Sequence, residues 1–184
     1  TVSITGAIEC SISSPENNID TISSVIRITG TTLSTNSGDT IKIYLNGVLI
    51  TDSSIFSSNA NFDTLIQLTD SVNTITVAAV SHLSDTNVDT KYIIVNYYSV
   101  PSVYITYPVI SGIQYDTTAS GYISISGTIA NARNGDTLSI YVNGVLNDKL
   151  IISSGSWSGT AAIYLYSETV TVTITDRFNQ TDTK

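Results

Sequence analysis

The sequence predicts an all-β chain made of two tandem antiparallel β-sandwiches. Three observations carry this. Ser, Thr, Ile, Val, Asn and Tyr dominate the composition and Met is absent, which is the chemistry of strands and turns. No apolar pattern of helical period, about 3.6 residues, runs through any stretch. One phrase is written twice: residues 38–49 read G-D-T-I-K-I-Y-L-N-G-V-L and residues 135–146 read G-D-T-L-S-I-Y-V-N-G-V-L, with Gly30-Thr31 recurring as Gly127-Thr128 at the same offset. A shared offset over that distance is an internal repeat, and 184 residues suit two units of about 90 each.

The elements follow in order. Residues 1–12 alternate, with Val2, Ile4, Gly6, Ile8, Cys10 and Ile12 on one face, longer than the usual strand of about five or six residues. Pro15-Glu16-Asn17-Asn18 ends that run as a turn. Residues 25–29 form a strand closed by Gly30. In the repeated phrase Ile41, Ile43 and Leu45 alternate with Lys42, Tyr44 and Asn46, the pattern of a half-buried strand. Asn46-Gly47 and Asn143-Gly144 supply the positive φ angles of a type I′ turn, so each copy is a β-hairpin. Residues 61–68, 73–80 and 91–98 complete the first unit, with a polar, turn-rich stretch at 81–90. Pro101 marks the junction. Strands at 102–108, 122–126, 137–142, 145–152, 156–166 and 169–175 make the second unit. Short strands separated by regular turn signals point to a sandwich, with about seven strands in each unit. Phe62 and Trp157 are the aromatic core anchors.

The formal net charge of −8 argues against nucleic acid and anionic membrane as partners, since both need clustered Lys or Arg. No apolar run is long enough for insertion into a bilayer. The chain does not begin with Met and shows no signal peptide, the form expected of a processed secreted chain or of an excised piece. The single cysteine, Cys10, allows no internal disulfide. A low-charge Ser/Thr/Asn/Tyr surface suits an extracellular, cell-surface setting.

G-T before a loop, G-D-T-I-x-I-Y-L-N-G-V, an aromatic after a Gly/Ser/Asn turn (Phe62; Trp157 in G-S-W-S-G) and N-T-I-T-V-A-A resemble the bacterial and archaeal immunoglobulin-like repeats of surface proteins. They also resemble immunoglobulin-like modules appended to secreted glycosidases. The resemblance covers both units and implies a fold, not a chemistry. The family's D-x-x-G-N ending survives only loosely at Asp176-Arg177-Phe178-Asn179, and the antibody Cys…Trp…Cys pattern is absent.

Aligning the ends of the units sharpens the division. Pro15 matches Pro108, Cys10-Ser11-Ile12 matches Val103-Tyr104-Ile105, and Asp89-Thr90-Lys91 matches Asp182-Thr183-Lys184. In the first unit a strand follows the matched lysine; in the second the given residues end there. The expected division is a donor strand at 1–7, sandwich 1 at 8–99 and sandwich 2 at 100–184, the second lacking its last strand. That predicts an acceptor groove exposing Val103, Ile105, Val170, Val172 and Ile174, and a donor strand bearing Val2, Ile4, Gly6 and Ile8. Burying three such side chains contributes about 5–9 kcal/mol. The expected partner is another copy of the chain, joined head-to-tail into a filament. In assembly logic this is similar to the donor-strand subunits of pili and surface threads. The alternatives are a spacer or adhesin fragment of a larger cell-surface protein, and a carbohydrate-binding accessory module.

Catalytic chemistry is not suggested. His82 is the sole histidine and reads as a solvated loop residue, with no Ser-His-Asp or Cys/His constellation around it. Trp157 occupies the serine position of the one G-x-S-x-G-like stretch. Asp39 and Asp136 read as turn residues. Asp20, Asp116, Asp176 and Asp182 are the candidates for Ca²⁺, although no D-x-D-x-D-G loop exists; no other cofactor is expected. Cys10 reads as a small core hydrophobe. Lys91 is a candidate for an isopeptide with a neighbouring Asn, as in some of the resembling surface domains. Tyr104, Tyr107, Tyr115, Tyr122, Tyr164 and Tyr166 offer a face on which a glycan could stack. Asn179-Gln180-Thr181 is the one glycosylation sequon.

Overall fold

The computed structural model describes residues 7–54, 59–69, 71–84, 86–108, 121–153, 155–164 and 168–184. Every regular element among them is a β-strand. The chain divides into two compact units, Thr1–Ser99 and Val100–Lys184.

Unit 1 has two sheets. Strands β1 (Glu9–Ser14), β3 (Val25–Leu33) and β6 (Asn61–Gln67) lie in the order β1-β3-β6. Strands β2 (Ile19–Thr21), β4 (Thr40–Leu45), β5 (Val48–Ser54), β7 (Ser71–Val80) and β8 (Val88–Tyr97) lie in the order β2-β8-β7-β4-β5. All pairs are antiparallel except β2 with β8. Unit 2 repeats the plan. Strands β9 (Ser102–Tyr107), β10 (Tyr122–Ala130) and β13 (Ser156–Ala162) form one sheet, ordered β13-β10-β9. Strands β11 (Thr137–Val142), β12 (Val145–Ile151), β14 (Val170–Thr175) and β15 (Thr181–Thr183) form the other, ordered β12-β11-β14-β15.

Alternation decides which side chains meet. On β4, Ile41, Ile43 and Leu45 are buried while the residues between them are half-buried; on β11, Leu138, Ile140 and Val142 repeat this. Unit 1's core joins them to Ile8, Cys10, Ile28, Phe62, Ile75, Val77 and Val95 from both of its sheets. In unit 2, Val103, Ile125, Trp157, Val172 and Ile174 do the same. The repeated Asn-Gly turns behave as predicted, with φ 50° and 83° at Asn46-Gly47 and 49° and 78° at Asn143-Gly144. The asparagine side chains do more than permit the turn. Asn46 Oδ1 accepts the Thr74 N–H at 2.8 Å and Asn143 Oδ1 the Thr169 N–H at 2.9 Å. Each hairpin tip is thereby tied to the neighbouring strand.

Gly30 does not close a strand. It sits inside β3, directly opposite Phe62, and Gly127 sits inside β10 opposite Trp157. A Cβ on Gly30 would lie 2.0 Å from the Ser11 carbonyl oxygen and 2.2 Å from the Phe62 ring. On Gly127 it would lie 1.8 Å from the Tyr104 carbonyl oxygen and 2.8 Å from Trp157 Nε1. The repeated glycine is therefore the floor on which the core aromatic lies. Trp157 Nε1 is buried with no hydrogen-bond partner among the described residues, a cost of about 1–3 kcal/mol. Trp157→Phe installs the side chain unit 1 already uses. Its lost apolar area is offset by removal of the stranded donor, so urea unfolding should shift by less than about 1.5 kcal/mol. Trp157→Ala, which leaves the cavity, should cost about 3–5 kcal/mol.

Candidate functional site

The predicted acceptor groove is largely closed. Val103, Val172 and Ile174 each have 0% exposure, and Ile105 and Val170 are partly buried against the same core. The expectation that this set is exposed is corrected: the two sheets of unit 2 close over it. The donor set divides. Ile8 is 3% exposed and packs in its own unit's core, so it is not free to be given away. Val2, Ile4 and Gly6 lie outside the described residues. The edge of β14 is nevertheless less covered than that of β7. Strand β8 pairs with β7 from Ser71 to Val80. Strand β15 pairs with β14 from Thr173 to Thr175, and Lys184 and Val172 exchange two further hydrogen bonds at 2.8 and 2.9 Å.

The matched Asp-Thr-Lys triplets form a clasp between the first and last strands. Asp89 Oδ2 accepts the Cys10 N–H at 2.8 Å, and Asp182 Oδ2 accepts the Val103 N–H at 2.9 Å. Each carboxylate is also held by the lysine two residues on, Lys91 Nζ at 2.8 Å and Lys184 Nζ at 3.1 Å. The strand's N–H lowers the pKa of Asp89 most, with Lys91 adding to it; for Asp182 the Val103 N–H is again the largest cause. Lys91 is thus engaged with an ionised carboxylate on its own strand, not with an asparagine. The Cys10 thiol is buried and faces the Asp89 and Val77 carbonyl oxygens at 3.4 and 3.7 Å. Burial, then the Asp89 charge, raises its pKa. Asp89→Ala and Asp182→Ala should each cost about 1–2 kcal/mol in their own unit. Both carboxyls have folded pKa values below their unfolded ones, so their contribution is complete above about pH 4 and drains as pH falls through the folded values. Acid unfolding of the alanine variants should be correspondingly less steep.

A second carboxylate organises the loop between β3 and β4. Asp39 is 1% exposed. Its oxygens accept the N–H of Asn36 at 2.7 Å and of His82 at 2.9 Å, and Oδ1 meets His82 Nδ1 at 2.7 Å. His82 is therefore pinned to a buried acid, not a free loop residue. Asp136 makes the same turn, accepting the Arg133 N–H at 2.7 Å. Asn73, fully buried, bonds Thr69 through its N–H, carbonyl and hydroxyl. These roles depend on partners on other strands or turns, and only the repeated Gly-Asp signals Asp39 and Asp136 in the sequence.

Of the calcium candidates, Asp20, Asp176 and Asp182 are each engaged by protein donors. Asp20 Oδ1 accepts from Asn96 Nδ2 at 2.9 Å, Asp176 accepts the N–H groups of Phe178 and Gln180 at 2.8 Å, and Asp182 is the clasp. Asp116 lies outside the described residues, among which no three His, Cys, Asp or Glu side chains group as metal ligands. Tyr104, Tyr107, Tyr122 and Tyr164 are exposed; Tyr115 and Tyr166 lie outside the described residues. No helix among the described residues is long and apolar enough to cross a membrane.

No protein-family model matches the chain, and no curated protein matches it. Solved structures do. The fibronectin(III)-like modules of Clostridium thermocellum CbhA align over 95% of this chain and 91% of theirs, at 15% identity and TM-score 0.37. A 1.5-MDa bacterial ice-binding adhesin aligns over 96% of this chain and 62% of that one, at 16% identity and TM-score 0.33. A Ca²⁺-stabilised adhesin of an Antarctic bacterium aligns over 98% and 47%, at 18% identity and TM-score 0.36. The strand order seen here, with β1-β3-β6 and β2-β8-β7-β4-β5 sharing one core, is itself that of an immunoglobulin-like sandwich, and the described strands of unit 2 repeat it without a counterpart of β2.

Proposed function

We propose that the chain is a non-enzymatic pair of immunoglobulin-like repeats serving as a spacer or adhesin segment of a larger cell-surface protein. One observation carries this reading: the polar residues shared by the two units serve to hold strands together. Asp39 and Asp136 fasten a loop, Asp89 and Asp182 clasp a first strand to a last one, and Asn46 and Asn143 tie a hairpin tip. What the repeats keep in common is architecture. Light scattering should find a monomer across the accessible concentration range, and the parent gene should encode further repeats beside these two. An oligomer, or flanking sequence encoding an enzyme, would count against it.

Head-to-tail polymerisation by strand donation is the second reading. The burial of Ile8, Val103, Val172 and Ile174, the residues it would use, counts against it. Here the expected result is a polymer that becomes monomeric when residues 1–7 are removed.

A further inference from the structure

We infer that Asn179 is the attachment point of an N-linked glycan; the inference deepens the proposed function and rests on its cell-surface part, because this modification belongs to exported chains. Its basis is a comparison among the turn asparagines. Asn18, Asn46, Asn59, Asn131, Asn143 and Asn179 all stand at positive φ, a conformation asparagine tolerates. All but the last also put the side-chain amide to work. Asn46 and Asn143 tie the hairpin tips to a neighbouring strand. Asn18 Oδ1 accepts from Asn96 Nδ2 at 3.4 Å, Asn59 Oδ1 accepts the Ser34 N–H at 3.3 Å, and Asn131 Nδ2 bonds the Val100 carbonyl at 3.2 Å. The Asn179 amide bonds no other described residue. It is also the one asparagine in the chain followed two residues later by Ser or Thr. The spare amide and the sequon coincide.

The turn between β14 and β15 presents both groups of the sequon. The Asn179 N–H bonds the Asp176 carbonyl at 3.1 Å, and the Asp176 N–H bonds the Gln180 carbonyl at 3.1 Å. This is a three-residue hairpin loop with its left-handed residue, Asn179 at φ 63°, in last place. Asp176 Oδ1 accepts the N–H groups of Phe178 and Gln180, each at 2.8 Å, and Oδ2 accepts from Gln180 Nε2 at 2.8 Å. The Arg177 guanidinium lies over the Phe178 ring, 4.9 Å from its centre. The residues on either side of Asn179 are thus held against the turn. Asn179 and Thr181 are exposed, and the Thr181 hydroxyl, like the Asn179 amide, bonds no other described residue. In the transfer, Asn179 Nδ2 bonds the anomeric carbon of a lipid-diphosphate-linked oligosaccharide. The bond from that carbon to the diphosphate oxygen breaks, the amide gives up one proton, and the lipid diphosphate leaves. Since the amide makes none of the turn's bonds, the sugar is added without breaking one, and a bulky, solubilising group stands on the surface.

The test is peptide mass spectrometry on the full chain isolated from the cells that make it, with variants introduced in the same cells. The peptide spanning Asn179 should carry the added mass of an oligosaccharide, and no other asparagine should. Thr181→Val should abolish the addition, and Thr181→Ser, which restores the hydroxyl, should return it. Asn179→Asp, which keeps a residue at ease with positive φ, should abolish it and leave the melting of unit 2, followed by the fluorescence of Trp157, where it was. A bare Asn179 in the parent chain, or an oligosaccharide that survives Thr181→Val, would overturn the inference. A monomeric chain with a bare Asn179 would sink the glycan alone and leave the spacer reading standing. A glycan on an oligomeric chain would uphold the glycan and sink the spacer reading.

Discussion

Gly127→Ala should be among the most damaging single-methyl changes in this chain, and Gly30→Ala its counterpart in unit 1. At position 127 the new Cβ would sit 1.8 Å from the Tyr104 carbonyl oxygen and 2.8 Å from Trp157 Nε1. Neither neighbour can step aside cheaply. The carbonyl belongs to β9, which is laddered to β10 at Ile105–Gly127 and Tyr104–Thr128. The indole is 6% exposed and packed in the unit 2 core. The methyl must therefore part β9 from β10 or lift the tryptophan. Overpacking commonly costs up to about 3 kcal/mol, and a rigid contact of this kind belongs at that end. In a domain of this size about 3 kcal/mol lowers Tm by about 12 °C or more. Trp157 is the one tryptophan, so its fluorescence reports unit 2 alone. Gly127→Ala should move that transition, and Gly30→Ala should leave it in place while unit 1 melts early. If Gly127→Ala melts like the parent chain, the aromatic does not lie on this glycine.

Those glycines show where reading a sequence reaches its limit. A glycine followed by Thr and a polar loop looks like the end of a strand, yet β3 and β10 run on to Leu33 and Ala130. What requires the glycine is a ring from β6 or β13, remote in sequence, and no local pattern encodes that. The hairpins were legible because their cause is local: period-two alternation and an Asn-Gly pair. Strand β2 was not, since three residues held by parallel pairing to β8 carry no alternation of their own. The polar start of β8 at Val88 carries no apolar alternation either, and only its antiparallel pairing with Val80 on β7 places it in the sheet. The alignment of Asp89 with Asp182 was visible, but its meaning was not, because the two accepting carboxylates and the N–H donors on β1 and β9 meet only in the fold. The groove shows the converse limit. The offset between the units located a difference in their last strands, but offset alone says nothing of how two sheets close, and Val103, Val172 and Ile174 are covered from within.

Asp39→Ala should destabilise unit 1 by about 3 kcal/mol and leave unit 2 untouched. The carboxylate is 1% exposed and accepts the N–H groups of Asn36 and His82, with the His82 ring against Oδ1. Truncation strands two backbone donors in a partly buried turn, at about 1–3 kcal/mol each, less what water recovers. Asp39→Asn keeps the shape but turns an amide NH₂ towards one of those donors, so it should recover only part of the loss. The acid response separates the charge from the packing. Burial alone would raise the Asp39 pKa, yet the N–H groups of Asn36 and His82, helped by the ring, outweigh it and leave the pKa lowered. With the folded value below the unfolded one, the stabilisation is full above about pH 4 and drains as pH falls through the folded value. The parent chain should lose unit 1 steeply on acidification, and Asp39→Asn, already weaker at neutral pH, should show a shallower decline. Parallel acid curves for the two chains would mean that the carboxylate's charge does not hold the turn, and that the shape of the side chain alone does.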